Sequence, residues 1–142
     1  MAIDRAHIGY ALPAFDVVVE PAALAAFAHA IGEADADGRN TVAPPTFMKV
    51  LEGKDNSSRR IMEALGADLR RILHAEQAFE YLAPIRGGQT VTVVRKVVDI
   101  SSRKGGALDF ILIESEFKDP AGTLLGRSTQ TVMVRNPVEK AA

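Results

Sequence analysis

Apolar positions along this chain change rhythm near residue 72. Before it they recur three and four residues apart, and after it they alternate. In the first part, residues 14–19 form a short apolar run that reads as a strand. Glu20 and Pro21 then open a helix, proline being suited to a first turn. Leu24, Phe27, Ala28 and Ile31 recur at i, i+3, i+4 and i+7 and give that helix one apolar stripe, with Gly32 as its stop. Residues 33–41, polar and rich in Asp and Gly, read as a loop. Pro44, Pro45 and Thr46 lead into a second helix through Phe47, Met48, Val50 and Leu51 that stops near Gly53. It is short and apolar on several sides, as a buried helix would be. Residues 54–60 read as a charged surface segment and residues 59–69 as a further helical turn or two, weakened at Gly66.

From residue 72 the pattern is almost all strand. Candidates are 72–81, 90–100, 108–117 and 123–135, divided by Pro84 with Gly87–Gly88, by 101–106 and by Asp119-Pro120-Ala121-Gly122. The apolar phase slips between Val93 and Val97, which predicts a bulge or bend. Phe110-Ile111-Leu112-Ile113 is apolar on both faces, which predicts a central strand covered on each side. The tail from Asn136 is predicted to be loose. Helices first and a long antiparallel meander after them give an α+β class, one domain over residues 1–142, with the 46–51 helix as the natural cover for one face of a curved sheet.

One strand carries unusual chemistry. Within residues 73–81, His74 and Glu76 stand at alternate positions and are predicted to face the same way, with Gln77 facing the other unless a bulge intervenes. Such residues line a site or a polar seam, or belong to an ordinary exposed strand face. His29 reads as a partly exposed helix residue.

Composition narrows the classes. Of 142 residues, 47% are hydrophobic and 25% charged, with a net charge of −1, so nothing points to nucleic acid or a membrane surface. The absence of cysteine excludes disulfides, thiolate metal ligation and a cysteine nucleophile. His7, His29 and His74 have no metal-ligand spacing, and no metal or cofactor is expected. Asp4, Arg5 and His7 open the chain without an apolar run behind them, so no signal peptide is expected and a cytoplasmic location follows.

An antiparallel sheet wrapped around one buried helix is the hot-dog architecture. Ala43-Pro44-Pro45-Thr46-Phe47, Leu73-His74-Ala75-Glu76-Gln77, and Pro84-Ile85-Arg86-Gly87-Gly88 resemble, in order, the APPTF, LHGEQ-like and "plraGD" segments of the MaoC-like dehydratase N-terminal domain family. The resemblance runs from about residue 17 to residue 135. It implies a hot-dog fold, dimeric or paired as a double hot-dog. It also implies a role with acyl groups on coenzyme A or acyl carrier protein, in the reversible hydration of a 2-enoyl thioester to a 3-hydroxyacyl thioester.

That reaction needs a base for water, an acid for the α-carbon and donors for the thioester oxygen. The helix lead-in at Pro45, Thr46 and Phe47 is the candidate substrate contact together with Gln77, and the Thr46 and Phe47 amides are the candidate donors, since proline has none. Catalytic relatives place an Asp and, five residues later, a His in the loop after the first helix. Here Asp35 is followed five later by Asn40 and Asp37 by Val42, and an asparagine is no base near neutral pH. The loop is also shorter than usual in the family. In the family the N-terminal-type domain often lacks the dyad and shares an acyl tunnel with a catalytic hot-dog domain.

Three readings follow. The chain is a dyad-lacking subunit that needs a catalytic hot-dog partner, a separate chain or an identical copy. Or it is a self-sufficient hydratase using His74 and Glu76, which otherwise hold the strand to a neighbouring helix or to a dimer partner. Or it binds acyl thioesters without chemistry. A hot-dog thioesterase would need a carboxylate on the central helix, where Glu52 is the only candidate and is expected at the surface. Arg59, Arg60, Arg70, Arg71, Arg86 and Lys104 are the basic residues available to a coenzyme A phosphate.

Overall fold

The structure, a computed structural model, describes residues 3–35 and 41–137. A five-stranded antiparallel sheet carries the fold. Its strands are β1 (Phe15–Val18), β2 (Ile72–Tyr81), β3 (Thr90–Arg103), β4 (Leu108–Lys118) and β5 (Leu124–Arg135), in the order β1-β3-β4-β5-β2. Three α-helices precede the long strands: α1 (Pro21–Ala30), α2 (Phe47–Glu52) and α3 (Ser57–Ala64). Short 3-10 turns at Lys54–Asn56 and Leu69–Arg71 join α2 to α3 and lead into β2.

Strands β3, β4 and β5 form where β-branched residues recur. In β4 every second residue, from Asp109 through Ile111, Ile113 and Ser115 to Phe117, is buried. That strand is the middle one, as its apolar centre predicts, but it is covered on one face only. Phe110 and Leu112 on the other face stay partly exposed, with the Arg103 guanidinium 4.8 Å from the centre of the Phe110 ring. A cation above an aromatic face screens it from water without a covering layer. The phase slip in β3 falls between Val97 and Asp99, so Val98 is the extra residue.

Helix α1 keeps Pro21 in its first turn and ends at Ala30, where Gly32 takes a φ of +77°. Leu24 and Ala28 are buried and Ile31 is not, so the stripe packs through its first two turns only. Helix α2 turns Phe47, Met48, Leu51 and Glu52 toward the sheet. Of the charged stretch expected at the surface, Lys54, Asp55, Asn56 and Arg59 are exposed, while Ser57, which starts α3, is fully buried.

Two apolar clusters lie on the helix-covered face. One gathers Leu24, Phe47, Met48 and Leu51 over Val91, Val93, Phe117 and Leu125. The other gathers Ile61, Met62 and Leu65 over Val97, Ile111, Ile113, Val132 and Val134. Ile3 and Leu12 join the second cluster, and the amide of Ile3 donates to Asp109 at 2.7 Å. Asn136, predicted to begin a loose tail, is tied down: its side-chain amide donates to the carbonyl of Gly106 and to Asp109.

Candidate functional site

Between the two apolar clusters runs a belt of polar side chains. Arg95 of β3, Ser115 of β4 and Ser128 of β5 are register neighbours, so one polar residue stands on each of three adjacent strands in a single row. Gln130 and Gln77, themselves register partners, make up the next row. Helix α2 lowers Glu52 onto this belt and α3 supplies Ser57. Glu52, expected at the surface, has no solvent exposure, because it shares the sheet-facing stripe with Met48 and Leu51.

Each charge in the belt is compensated. The Arg95 guanidinium, wholly buried, donates through Nε to Ser115 (3.0 Å). Its Nη1 donates to Ser57 (2.9 Å), Ser58 (2.8 Å) and the Glu52 carbonyl (3.3 Å), and its Nη2 to Gln130 (2.8 Å). Burial pulls its pKa below the ordinary arginine value, and Glu52, with an oxygen 3.9 Å from Nη2, works the other way. The Glu52 carboxylate accepts from Ser128 at 2.5 Å and from Gln77 at 3.1 Å, and it pairs with Lys49 at 3.2 Å. Lys49 reaches Gln130 as well, at 3.3 Å. Among the described residues no buried side-chain polar atom lacks a partner. A buried ion pair is tolerated only on that condition.

Strand β2 runs along the edge of this belt. Its register shifts between His74, opposite Val132, and Glu76, opposite Thr131, leaving Ala75 as an inserted residue. The bulge undoes the expected pairing. His74 lies on the helix-covered side, where its Nε2 is 2.8 Å from the side-chain oxygen of Gln77. The Gln77 amide nitrogen already donates to Glu52 and Ser128 (2.9 Å). Its oxygen is therefore the acceptor, and His74 carries the proton on Nε2. Glu76 points to the opposite face, into a cavity it shares with Asp99, Arg103 and Phe110. His74 and Glu76 are thus separated by the sheet and form no acid–base pair, while Gln77 faces the same way as His74.

The helix lead-in is held from β2. Tyr81 donates its hydroxyl to the Pro45 carbonyl at 2.9 Å, and burial pushes the phenol up to about 12. Pro45 and Tyr81 border a largely apolar cavity of about 430 Å³ with Val42 and Leu82. The Phe47 amide, one of two expected donors, is taken by the Pro44 carbonyl at 2.9 Å, and the Phe47 ring is buried edge-on to Phe27 at 5.3 Å. The Thr46 amide makes no hydrogen bond among the described residues, and Thr46 is exposed. Asp35 is exposed near the start of the loop; Asn40 and Asp37 lie outside the described residues.

The belt was missed although the sequence signals it. Val91, Val93, Arg95 and Val97 occupy one strand phase; Ile111, Ile113, Ser115 and Phe117 another; Ser128, Gln130, Val132 and Val134 a third. A polar residue breaks the buried phase in each strand, and an acid breaks the buried stripe of α2. Such breaks in four elements of one small domain point to side chains that meet.

The profile of the FAS1-like dehydratase domain region matches residues 6–126. The chain belongs to that family. A relative named UPF0336 protein, from Streptomyces avermitilis, is 31% identical over 134 residues, covering 86% of this chain and 88% of the relative. Among solved structures, a MaoC-like dehydratase superposes with a TM-score of 0.77 at 24% identity, over 92% of this chain and 43% of its own. A chain of the HadBC (3R-hydroxyacyl-ACP dehydratase) complex of Mycobacterium tuberculosis superposes with a TM-score of 0.73 at 17% identity, over 89% of this chain and 96% of its own. This dehydratase-region domain thus has the hot-dog fold that its APPTF-like and LHGEQ-like segments predict, a fold it shares with a MaoC-like dehydratase.

Proposed function

We propose that this chain is the non-catalytic half of an (R)-specific enoyl-thioester hydratase or 3-hydroxyacyl dehydratase, working beside a dyad-bearing hot-dog subunit on acyl groups carried by coenzyme A or acyl carrier protein. One observation carries the reading: the acid and base groups of the helix-covered face are committed to one another. Glu52 is held by Lys49, Gln77 and Ser128, and His74 faces Gln77 rather than a second titratable group. The replacement of the dyad histidine by Asn40 supports the same reading. So does the likeness in fold to a chain of HadBC, a two-component dehydratase complex. His74 and Gln77 then serve to hold β2 to α2, and Pro45 and Thr46 border the acyl group. The setting is fatty-acyl metabolism in the cytoplasm, with no cofactor beyond the thioester carrier.

The test is crotonyl-CoA hydration by the purified chain, alone and co-expressed with dyad-bearing hot-dog subunits. Turnover is expected only from a complex, and it should survive His74→Ala and Glu76→Gln in this chain. Robust turnover by the isolated chain that disappears in those variants would overturn the proposal in favour of self-sufficient catalysis.

A further inference from the structure

At one end of the sheet three arginines converge. Arg70 and Arg71 close the 3-10 turn before β2, and Arg135 ends β5. Ile72 and Val134 are register partners, so Arg71, one residue before, and Arg135, one residue after, flank the same antiparallel pair. With Arg70 they line an open cavity of about 630 Å³, whose remaining wall includes Ile72 and the half-exposed Leu73.

The charge there is not balanced. Asp68 is the acid of the cluster. It binds Arg70 through both oxygens, at 3.1 and 2.9 Å, and approaches Arg71 at 3.5 Å. The hydrogen bonds from Arg70 hold that carboxyl at about 2, so it stays ionised at any physiological pH. Arg135 has no ion-pair partner among the described residues. Three guanidinium groups on one cavity, with one carboxylate bound to Arg70 and near Arg71, leave an attraction for an anion. Their planar donor forks suit the oxygens of a phosphate better than a lone lysine would.

The site also has an apolar neighbour. Ile72 borders a second cavity, of about 300 Å³, on the helix-covered side, where Met62, Leu69, Ile113 and Val132 supply the walls. The 3-10 turn at Leu69–Arg71 therefore presents arginines to one side and Leu69 to the other. A molecule joining an anionic head to an apolar body would meet both.

We propose that Arg70, Arg71 and Arg135 form a phosphate-binding site that grips the phosphate ester of an acyl carrier, coenzyme A or the phosphopantetheine of a carrier protein. The assignment rests on the acyl-thioester reading above and adds where the carrier is held.

Isothermal titration of the full-length chain with coenzyme A, and separately with phosphopantetheinylated acyl carrier protein, tests it. The Arg70→Ala/Arg71→Ala/Arg135→Ala variant should bind one or both carriers at least about tenfold more weakly, the scale of lost charge-assisted hydrogen bonds. Whichever carrier loses affinity is the source of the phosphate. These residues are exposed, so an unchanged melting temperature is expected to accompany the loss. Lys118→Ala, one positive charge fewer at the far end of β4, should bind as the parent does. Equal binding by the triple variant and the parent, an equal loss in Lys118→Ala, or no binding of either carrier by the parent would overturn the site. Failure of every partner to support hydration would overturn the hydratase reading and leave this binding comparison unaffected.

Discussion

Arg95→Met should be among the most destabilising single changes in the protein. Methionine fills most of the volume but donates nothing. The variant strips five hydrogen bonds from Ser115, Ser57, Ser58, the Glu52 carbonyl and Gln130, and it takes the buried cation from beside Glu52. The hydroxyls can turn toward other acceptors, so the five bonds do not add. The larger part is the Glu52 carboxylate, left with no solvent exposure and, among the described residues, with Lys49 as its one remaining cation. Removing one partner of a buried ion pair costs about 3–5 kcal/mol. For a domain of this size about 3 °C accompanies each kcal/mol, which places the melting temperature about 9–15 °C lower. Urea unfolding followed by circular dichroism reads the loss as a shift in midpoint at unchanged slope. Arg95→Met/Glu52→Met should then recover at least about 1 kcal/mol over the single variant, because the stranded charge leaves with its partner. A loss below about 1 kcal/mol for Arg95→Met, or a double variant weaker than the single one by the full cost of a second deletion, would refute the account of the belt as a mutually dependent ion pair.

Two further outcomes follow from single contacts. Burial alone would raise the Asp109 carboxyl, but hydrogen bonds from Ser102, Asn136 and the Ile3 amide bring it below the ordinary 3.8. Its contribution is therefore complete above that value and is lost as pH falls through the lower, folded-state value, so unfolding midpoints between pH 5 and pH 2 should fall more steeply for the parent than for Asp109→Asn; parallel curves would contradict this. Gly126→Ala would set a methyl 2.8 Å from the Met48 side chain and against the backbone carbonyl of Glu80, where β2 and α2 crowd β5. A loss of about 2–3 kcal/mol in chemical denaturation is expected, and a neutral result would show that β2 can retreat from β5 at little cost.

The strands were legible because alternation of buried and open positions is a local property, and β-branched residues recur through β3, β4 and β5. Helix α1 was legible from Pro21 and the Leu24–Ala28 spacing. What the sequence hid depends on geometry between elements. Whether Glu52 meets water depends on which side of a six-residue helix faces the sheet, and two apolar neighbours at i−1 and i−4 decide it. The pairing of Arg95 with that acid joins residues forty-three positions apart. The facing of His74 and Glu76 depended on one inserted residue, Ala75, whose small side chain gives no signal of its own. The kinship segments were legible as ancestry, whereas the arginines at the end of β2 and β5 came together only through register.

The Ala75 bulge also sets a rule for anyone rebuilding this strand. Position parity is not conserved along it: His74 and Gln77 share a side although three residues apart, and Glu76 sits behind them. A catalytic pair grafted here to face α2 must be spaced across the insertion as 74 and 77, not 74 and 76. Deleting Ala75 would leave His74 opposite Val132 and Glu76 opposite Thr131 as direct neighbours, so the strand would alternate regularly with each side chain on the side it already holds. The insertion thus lengthens the chain between His74 and Glu76 without deciding anything that lies beyond it, and the two sides of the sheet would keep their contents once it was gone.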